Sequence, residues 1–236
     1  MGLGASTGGD AGRPPFYFVG DSLTEFGSYP QDGGFIALLQ RDDVRSIDMI
    51  NRGLAGFKLA HVLPTLEDEL ETRFEPSLVA RWLGANDAVL PDGRARSQHV
   101  PLAEYRAHLA TIVGALSPLL ASRGRFLFIT PPPVIDAQRQ ERERSDASVA
   151  AYARACVEVS IAEGVDVLDL HAHFTASFSD ERERASFSDE RERASFFSDG
   201  LHLSPRGQTE VARLLDAKLR DVFGARELAR FVTAQF

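Results

Sequence analysis

The chain is poorest in cysteine: of 236 residues only Cys156 carries a thiol, so no intramolecular disulfide is available. A lone thiol fits a reducing, cytoplasmic setting. Within Ala-Arg-Ala-Cys156-Val it reads as a buried helix residue. No segment approaches the ~20 apolar residues that a membrane span requires, which excludes stable insertion. An excess of basic charge is missing too. With 26 Lys and Arg against 34 Asp and Glu the formal net charge is -8, and a negative surface repels nucleic acid and anionic lipid. Residues 1–13, rich in Gly, Ala, Ser and Asp, have no basic stretch followed by an apolar one and read as a flexible leader without a secretory signal. Met1-Gly2-Leu3-Gly4-Ala5-Ser6 matches the myristoylation pattern, yet no polybasic patch follows to supply a second membrane anchor.

What is present is an ordinary globular composition, 44% apolar and 25% charged, long enough for one α/β domain over 14–236. Short apolar runs at 16–20, 47–51, 78–84, 126–130 and 165–170 read as strands. They alternate with helical patterns, as in a parallel sheet covered on both faces. The spacing predicts a helix from Pro101 that carries Leu102, Tyr105, Leu109, Ile112, Val113, Leu116 and Leu120 on one face. A second, over 146–162, aligns Val149, Tyr152, Ala153, Cys156, Val157 and Ile161. A third opens with Ser204 as its cap and Pro205 at its first position, and stops at Gly224. Residues 225–236 then read as a helical tail whose Leu228, Phe231, Val232 and Phe236 must pack somewhere, a partner subunit in a homodimer being one candidate.

The nine residues ASFSDERER at 176–184 recur unchanged at 185–193, and ASFFSDG follows. Nine residues carry a helix through about two and a half turns, so Phe178 and Phe187 would point in opposite directions on one continuous helix. Either a turn breaks the segment or it projects as a charged arm.

Polar residues cluster just past the strand ends: Gly20-Asp21-Ser22-Leu23, Arg52-Gly53 and Gly84-Ala85-Asn86-Asp87, with Asp199-Gly200-Leu201-His202 before the last helix. Crevices at the carboxyl ends of parallel strands are where open α/β sheets bind ligands. Acyl transfer needs a hydroxyl nucleophile with a base beside it, and Ser22 and His202 fill those roles, since an imidazole changes protonation near neutral pH. Asp199, on the same loop, can orient the ring and stabilise its charged form. The backbone N–H groups of Ser22 and Gly53 and the side-chain amide of Asn86 are the candidate oxyanion donors, each worth on the order of 10²- to 10³-fold in rate. Gly53 suits this because a missing side chain lets backbone approach substrate. Asp21 and Asp87 read as supports for their loops. His171 and His173 read as loop or surface residues rather than metal ligands with Asp169, and His61, His99 and His108 show no partner in the sequence. No feature calls for a cofactor or a metal.

These four ordered blocks resemble the GDSL or SGNH hydrolase superfamily. Ile50-Asn51-Arg52-Gly53-Leu54-Ala55-Gly56, Leu83-Gly84-Ala85-Asn86-Asp87-Ala88, Val100-Pro101-Leu102, Ile129-Thr130-Pro131-Pro132-Pro133 and Ser198-Asp199-Gly200-Leu201-His202-Leu203-Ser204 resemble its isoamyl acetate-hydrolysing esterase branch. The resemblance implies a flavodoxin-like three-layer α/β/α sandwich with a five-stranded parallel sheet. It also implies hydrolysis of short-chain, acetyl-type esters through an acyl-enzyme on Ser22. Two alternatives stay open: a thioesterase or lysophospholipase with the same chemistry, and a catalytically silent interaction protein on the same fold. The duplication lies directly before Ser198-Asp199, and each copy repeats Phe-Ser-Asp, at Asp180 and Asp189. Only Asp199 is followed by Gly-Leu-His.

Overall fold

Two runs, Pro15–Gly20 and Leu78–Trp82, are buried along nearly their whole length and form the central strands β1 and β3. Strands covered on both faces lose the alternation of a half-exposed sheet, which is why these runs are almost continuously apolar. The computed structural model describes residues 13–43, 46–62, 64, 75–139, 143–176 and 187–233. Among them one sheet runs β2 (Asp48–Gly53), β1, β3, β4 (Arg125–Ile129) and β5 (Asp166–Leu168), and all its pairings are parallel. The order reverses between β1 and β3, the switch point where crevices open in such sheets. Register aligns Gly20 with both Gly53 and Trp82, so the loops leaving β1, β2 and β3 start at one level.

Helices cover both faces. On one, α2 (Phe35–Asp43) and α7 (Pro205–Thr233) meet the sheet through aromatic pairs: Phe16 stacks on Phe223 with ring centroids 5.2 Å apart, and Phe35 meets Trp82 edge-on at 5.6 Å. On the other, α3 (Leu102–Leu116) packs against α4 (Asp146–Glu163), with Tyr105 and Tyr152 in edge contact at 5.1 Å. The short helices α1 (Ser22–Glu25), α5 (Leu170–Ala176) and α6 (Phe187–Ala194) complete the described α-helices.

Several boundaries and faces differ from the sequence reading. Strand β3 stops at Trp82 because Gly84, at φ 123°, turns the chain, and β5 ends at Leu168 because Asp169 caps α5 by accepting the Ala172 N–H at 2.9 Å. Ile161 is 73% exposed, not part of the buried stripe of α4. After Cys156 the stripe continues at Ser160, whose Oγ donates to the Cys156 carbonyl at 2.7 Å, and Ile161 stands about 140° away from Cys156 around the axis. His171 and His173 lie on α5, not in a loop, and face different carboxylates, Asp146 at 3.4 Å and Glu210 at 2.9 Å. His99 Nδ1 meets the Val89 carbonyl at 2.6 Å, and His61 Nδ1 accepts from the Lys58 N–H at 3.2 Å.

Of the leader, 1–12 lies outside the described residues, and Arg13 at its end pairs with Asp48 of β2 at 2.7 Å. Residues 177–186 also lie outside, Phe178 with them. The second copy of the repeat supplies α6, which ends at Ala194. As the sequence suggests, Ser204 caps α7, accepting from the Gly207 N–H at 3.3 Å. Gly224, at φ 71° and ψ 152°, breaks that helix before it resumes to Thr233.

Candidate active site

Strand β1 delivers its serine through a sharp strand-to-helix turn. Asp21 caps α1 by accepting the Leu23 N–H at 2.9 Å, which leaves Ser22 as the first helical residue. Its N–H has no acceptor within the helix. Gly20 is needed here, since a Cβ would lie 2.5 Å from the Trp82 carbonyl oxygen.

The second half of the site comes from the segment after α6. An antiparallel bridge between Phe197 and Leu203 pinches off the turn, and Ser198 N–H donates to the His202 carbonyl at 2.8 Å. Within it Asp199 Oδ1 accepts the N–H groups of Leu201 and His202, at 2.9 and 2.8 Å, and Oδ2 faces His202 Nδ1 at 2.9 Å. His202 Nε2 then lies 2.9 Å from Ser22 Oγ, across 180 residues of chain. Gly200, at φ 83°, allows the turn, and its carbonyl accepts from Ile135 N–H at 2.9 Å, which docks the loop on the segment after β4. The duplicated segment is tied down next to it. Arg206 bonds Glu192 at 3.0 Å and Ser195 Oγ at 2.7 Å, and its guanidinium lies 4.2 Å from the Phe196 ring centre.

The candidate oxyanion donors converge on the same edge, but two of them are already engaged. Gly53 N–H donates to Asn51 Oδ1 at 2.7 Å. Asn86 Nδ2 donates to the Phe57 carbonyl at 2.9 Å and stands 3.5 Å from Asp21 Oδ2. Nor is Gly53 a glycine chiefly for substrate access. A Cβ there would lie 2.2 Å from the Glu25 backbone nitrogen, so the bare Cα lets α1 rest against β2. Asn51 reinforces that contact, donating through Nδ2 to the Thr24 carbonyl at 2.9 Å and to Ser28 Oγ at 2.7 Å.

Asp21 and Asp87 are both buried and support loops, as expected of them; Asp87 Oδ1 accepts the Leu59 N–H at 3.1 Å. Burial pushes the Asp21 carboxyl up to about 7, against the pull of the Leu23 N–H and with a further push from Asp87. Burial raises Asp87 as well. Asp199 goes the other way. Partial burial opposes its ionisation, but the N–H and ring of His202 and the N–H of Leu201 together hold it below the usual carboxylate range.

Residues that sequence reasoning passed over complete the surroundings. Phe26 lies against the His202 ring at 5.2 Å and also packs on Tyr29 at 5.4 Å. Tyr29 and Leu54, at the rim, are 36% and 44% exposed. Arg144 is buried beside Asn86 and donates to its Oδ1 at 2.8 Å. The Asn-x-Gly spacing of Asn51 and Gly53 is legible as a side-chain-to-backbone turn. Arg144, in contrast, is one arginine in the stretch Arg139-Gln-Glu-Arg-Glu-Arg144, with nothing to single it out.

The family model for GDSL-like lipases and acylhydrolases matches residues 18–209, from β1 through the His202 loop into α7. The chain belongs to this family. It is similar to the bovine (Bos taurus) isoamyl acetate-hydrolyzing esterase 1 homolog, with 35% identity over 205 residues, 82% of this chain and 76% of that protein. A GDSL esterase/lipase of Arabidopsis thaliana is 31% identical over 92% of this chain and 90% of its own. In three dimensions the lipase/acylhydrolase of Enterococcus faecalis superposes with a TM-score of 0.65, covering 88% of this chain and 96% of that one at 23% identity. This GDSL-family chain is therefore a hydrolase on a five-stranded α/β scaffold. No helix among its described residues is long and apolar enough to cross a membrane.

Proposed function

We propose that this GDSL-family member hydrolyses short-chain, acetyl-type carboxylic esters through an acyl-enzyme on Ser22. The observation that carries the reading is the unbroken line from Ser22 Oγ to His202 Nε2 and from His202 Nδ1 to Asp199 Oδ2, each step 2.9 Å. His202 takes the hydroxyl proton as Oγ attacks the acyl carbon and returns it to the departing alkoxide. Water then enters by the same route in reverse and frees the acid. Asp199 fixes the tautomer and balances the charge that the ring acquires.

Ser22 N–H and Asn86 Nδ2 are the stronger oxyanion donors. A carboxamide nitrogen carries two hydrogens: one holds the Phe57 carbonyl, and the other, only weakly engaged with Asp21 Oδ2 at 3.5 Å, is the one that would turn to the oxyanion. Gly53 has a single N–H, committed to Asn51, and contributes by sharing it. The short-ester preference draws on the name of the bovine relative and on the aromatic wall of Phe26 and Tyr29 beside His202, where the alcohol portion would leave. The lone thiol of Cys156, buried in α4, fits work in the cytoplasm.

A chain-length series of p-nitrophenyl esters, run beside acyl-CoA thioesters, tests substrate choice. Acetate to butyrate esters should turn over fastest, and a preference for acyl chains beyond about eight carbons or for thioesters would sink the short-ester claim. A fluorophosphonate probe tests the chemistry. It should label Ser22 in the intact chain and nothing in Ser22→Ala; a folded chain that stays unlabelled would overturn the catalytic reading.

A further inference from the structure

A carboxamide can serve an oxyanion only with its nitrogen forward. Turned over, Asn86 would aim a lone pair at the developing charge, and a primary amide rotates about its terminal bond with little intrinsic preference. Something must therefore choose the orientation. On the hydrogen-bond side of that choice stands Arg144, 6% exposed, whose Nη2 donates to Asn86 Oδ1 at 2.8 Å. A guanidinium has no acceptor, so only the oxygen of the amide can face it. The nitrogen is thereby turned toward Phe57 and the Ser22 edge.

Arg144 is itself held from several sides. Its Nε donates to the Ala85 carbonyl at 2.8 Å, adjacent to the residue it orients, and Nη2 also reaches Gln98 Oε1 at 3.0 Å. Its backbone is fixed at the entrance to α4, where Ser145 caps the helix by accepting the Ser148 N–H at 3.1 Å and Glu143 accepts the Leu90 N–H at 2.8 Å. The carboxylate of Glu143 lies 3.6 Å from Nη1. A buried cation that only tied loops together could satisfy itself on backbone carbonyls. This one spends a donor on the one amide oxygen whose orientation matters to acyl transfer.

We infer that Arg144 is the positioning residue of the oxyanion hole, locking Asn86 with Nδ2 toward the reacting carbonyl and polarising that amide so that it donates more strongly. The inference rests on the acyl-transfer reading of Ser22. It makes Arg144 act through Asn86 and not on substrate directly, so its loss should be felt in kcat more than in KM.

The test is a double-mutant cycle on p-nitrophenyl acetate with Asn86→Ala, Arg144→Met and the pair. Arg144→Met should lower kcat on the order of 10- to 100-fold with KM changed less than about threefold, and should cost little more once Asn86 is Ala. Arg144→Lys keeps the charge at the same place and guards against a variant that fails to fold. A single ammonium cannot serve Asn86 Oδ1 and the Ala85 carbonyl with the fixed fork of a guanidinium, so kcat should fall here too while the thermal midpoint stays close to that of the parent. Losses that multiply in the double variant, or that appear only in KM, would overturn the inference. An active parent that suffers from Asn86→Ala but not from folded Arg144 variants would sink it alone. A parent that neither turns over esters nor labels at Ser22 would instead defeat the acyl-transfer reading beneath it.

Discussion

At the scale of single residues, Asp21 shows how a motif position can work without touching substrate. Its carboxyl is enclosed behind Ser22, close to Asp87 and within the influence of Arg144, and burial moves it from 3.8 to about 7. Between those values the folded chain keeps a proton that the unfolded chain has released. Stability from this group is thus full below about 4 and declines as pH rises toward 7, by roughly 1.4 kcal/mol per unit. Asp21→Asn retains an oxygen for the Leu23 N–H and removes the titration. Urea melts at pH 5 and pH 8 should show the Asn variant gaining on the parent as pH rises, and a gap that stays constant would mean that Asp21 is ionised throughout. The sequence made Ser22, Asp199 and His202 legible because each role demands a particular functional group, and the geometry joins all three. Phe26 and Arg144 were not legible, nor were the contacts of Asn51 beyond its turn to Gly53, because their work depends on which groups they meet in space, and Arg144 lies 58 residues from the amide it holds.

Among elements, β3 carries the oddest side chain of the core. Arg81 is 1% exposed, its Nη2 reaches Cys156 Sγ at 3.3 Å, its carbon centre lies 4.5 Å from the Phe128 ring centre, and it acts electrostatically on Tyr105 and Asp87. Its Nε and Nη1 have no acceptor among the described residues. A buried cation with few hydrogen-bond acceptors carries a desolvation cost that an apolar side chain of similar volume does not. Arg81→Met should raise the unfolding free energy by about 1 kcal/mol, read by chemical melts, whereas a clear loss would mean that the stacking on Phe128 and the attraction to Asp87 outweigh desolvation. Gly53 makes the converse case. Its Cβ would meet the α1 backbone at Glu25 and not a flexible side chain. Gly53→Ala should therefore cost about 2 kcal/mol or more of stability along with activity, and a fully stable but inactive variant would restore substrate access as the reason for the glycine. Strand existence was readable from short apolar runs, and strand ends were less so. Gly84 and Asp169 end β3 and β5 through a positive φ and a helix cap, neither of which periodicity encodes.

Across the whole molecule, the site depends on elements from both ends of the chain, yet its late loop is part of the core. Phe197, Leu201 and Leu203 are 3%, 4% and 8% exposed, which makes the His202 turn a packed element and not a surface strap. Local opening is cheap where few apolar contacts are made, and this loop makes many. Esterase activity and far-ultraviolet circular dichroism should therefore be lost together across a urea titration. Activity that disappears well before the secondary structure would show the loop detaching first. The α/β class was open to the eye in the alternation of runs, and the five-stranded flavodoxin-like sandwich came with the family resemblance, whereas the strand order β2-β1-β3-β4-β5 is seen only in the structure. The faces of the final helices were harder to read, since α6 grows from a repeat whose charge pattern has no apolar stripe.

That repeat also divides the chemistry. Ser22, Gly53 and Asn86 all precede it, and Asp199 and His202 follow, so a chain severed between Ala176 and Phe187 would leave the proposed nucleophile on one fragment and its proposed acid–base pair on the other. On the proposed mechanism neither piece would hydrolyse an ester by itself, and the colour released from p-nitrophenyl acetate would become a reporter of two polypeptides finding each other.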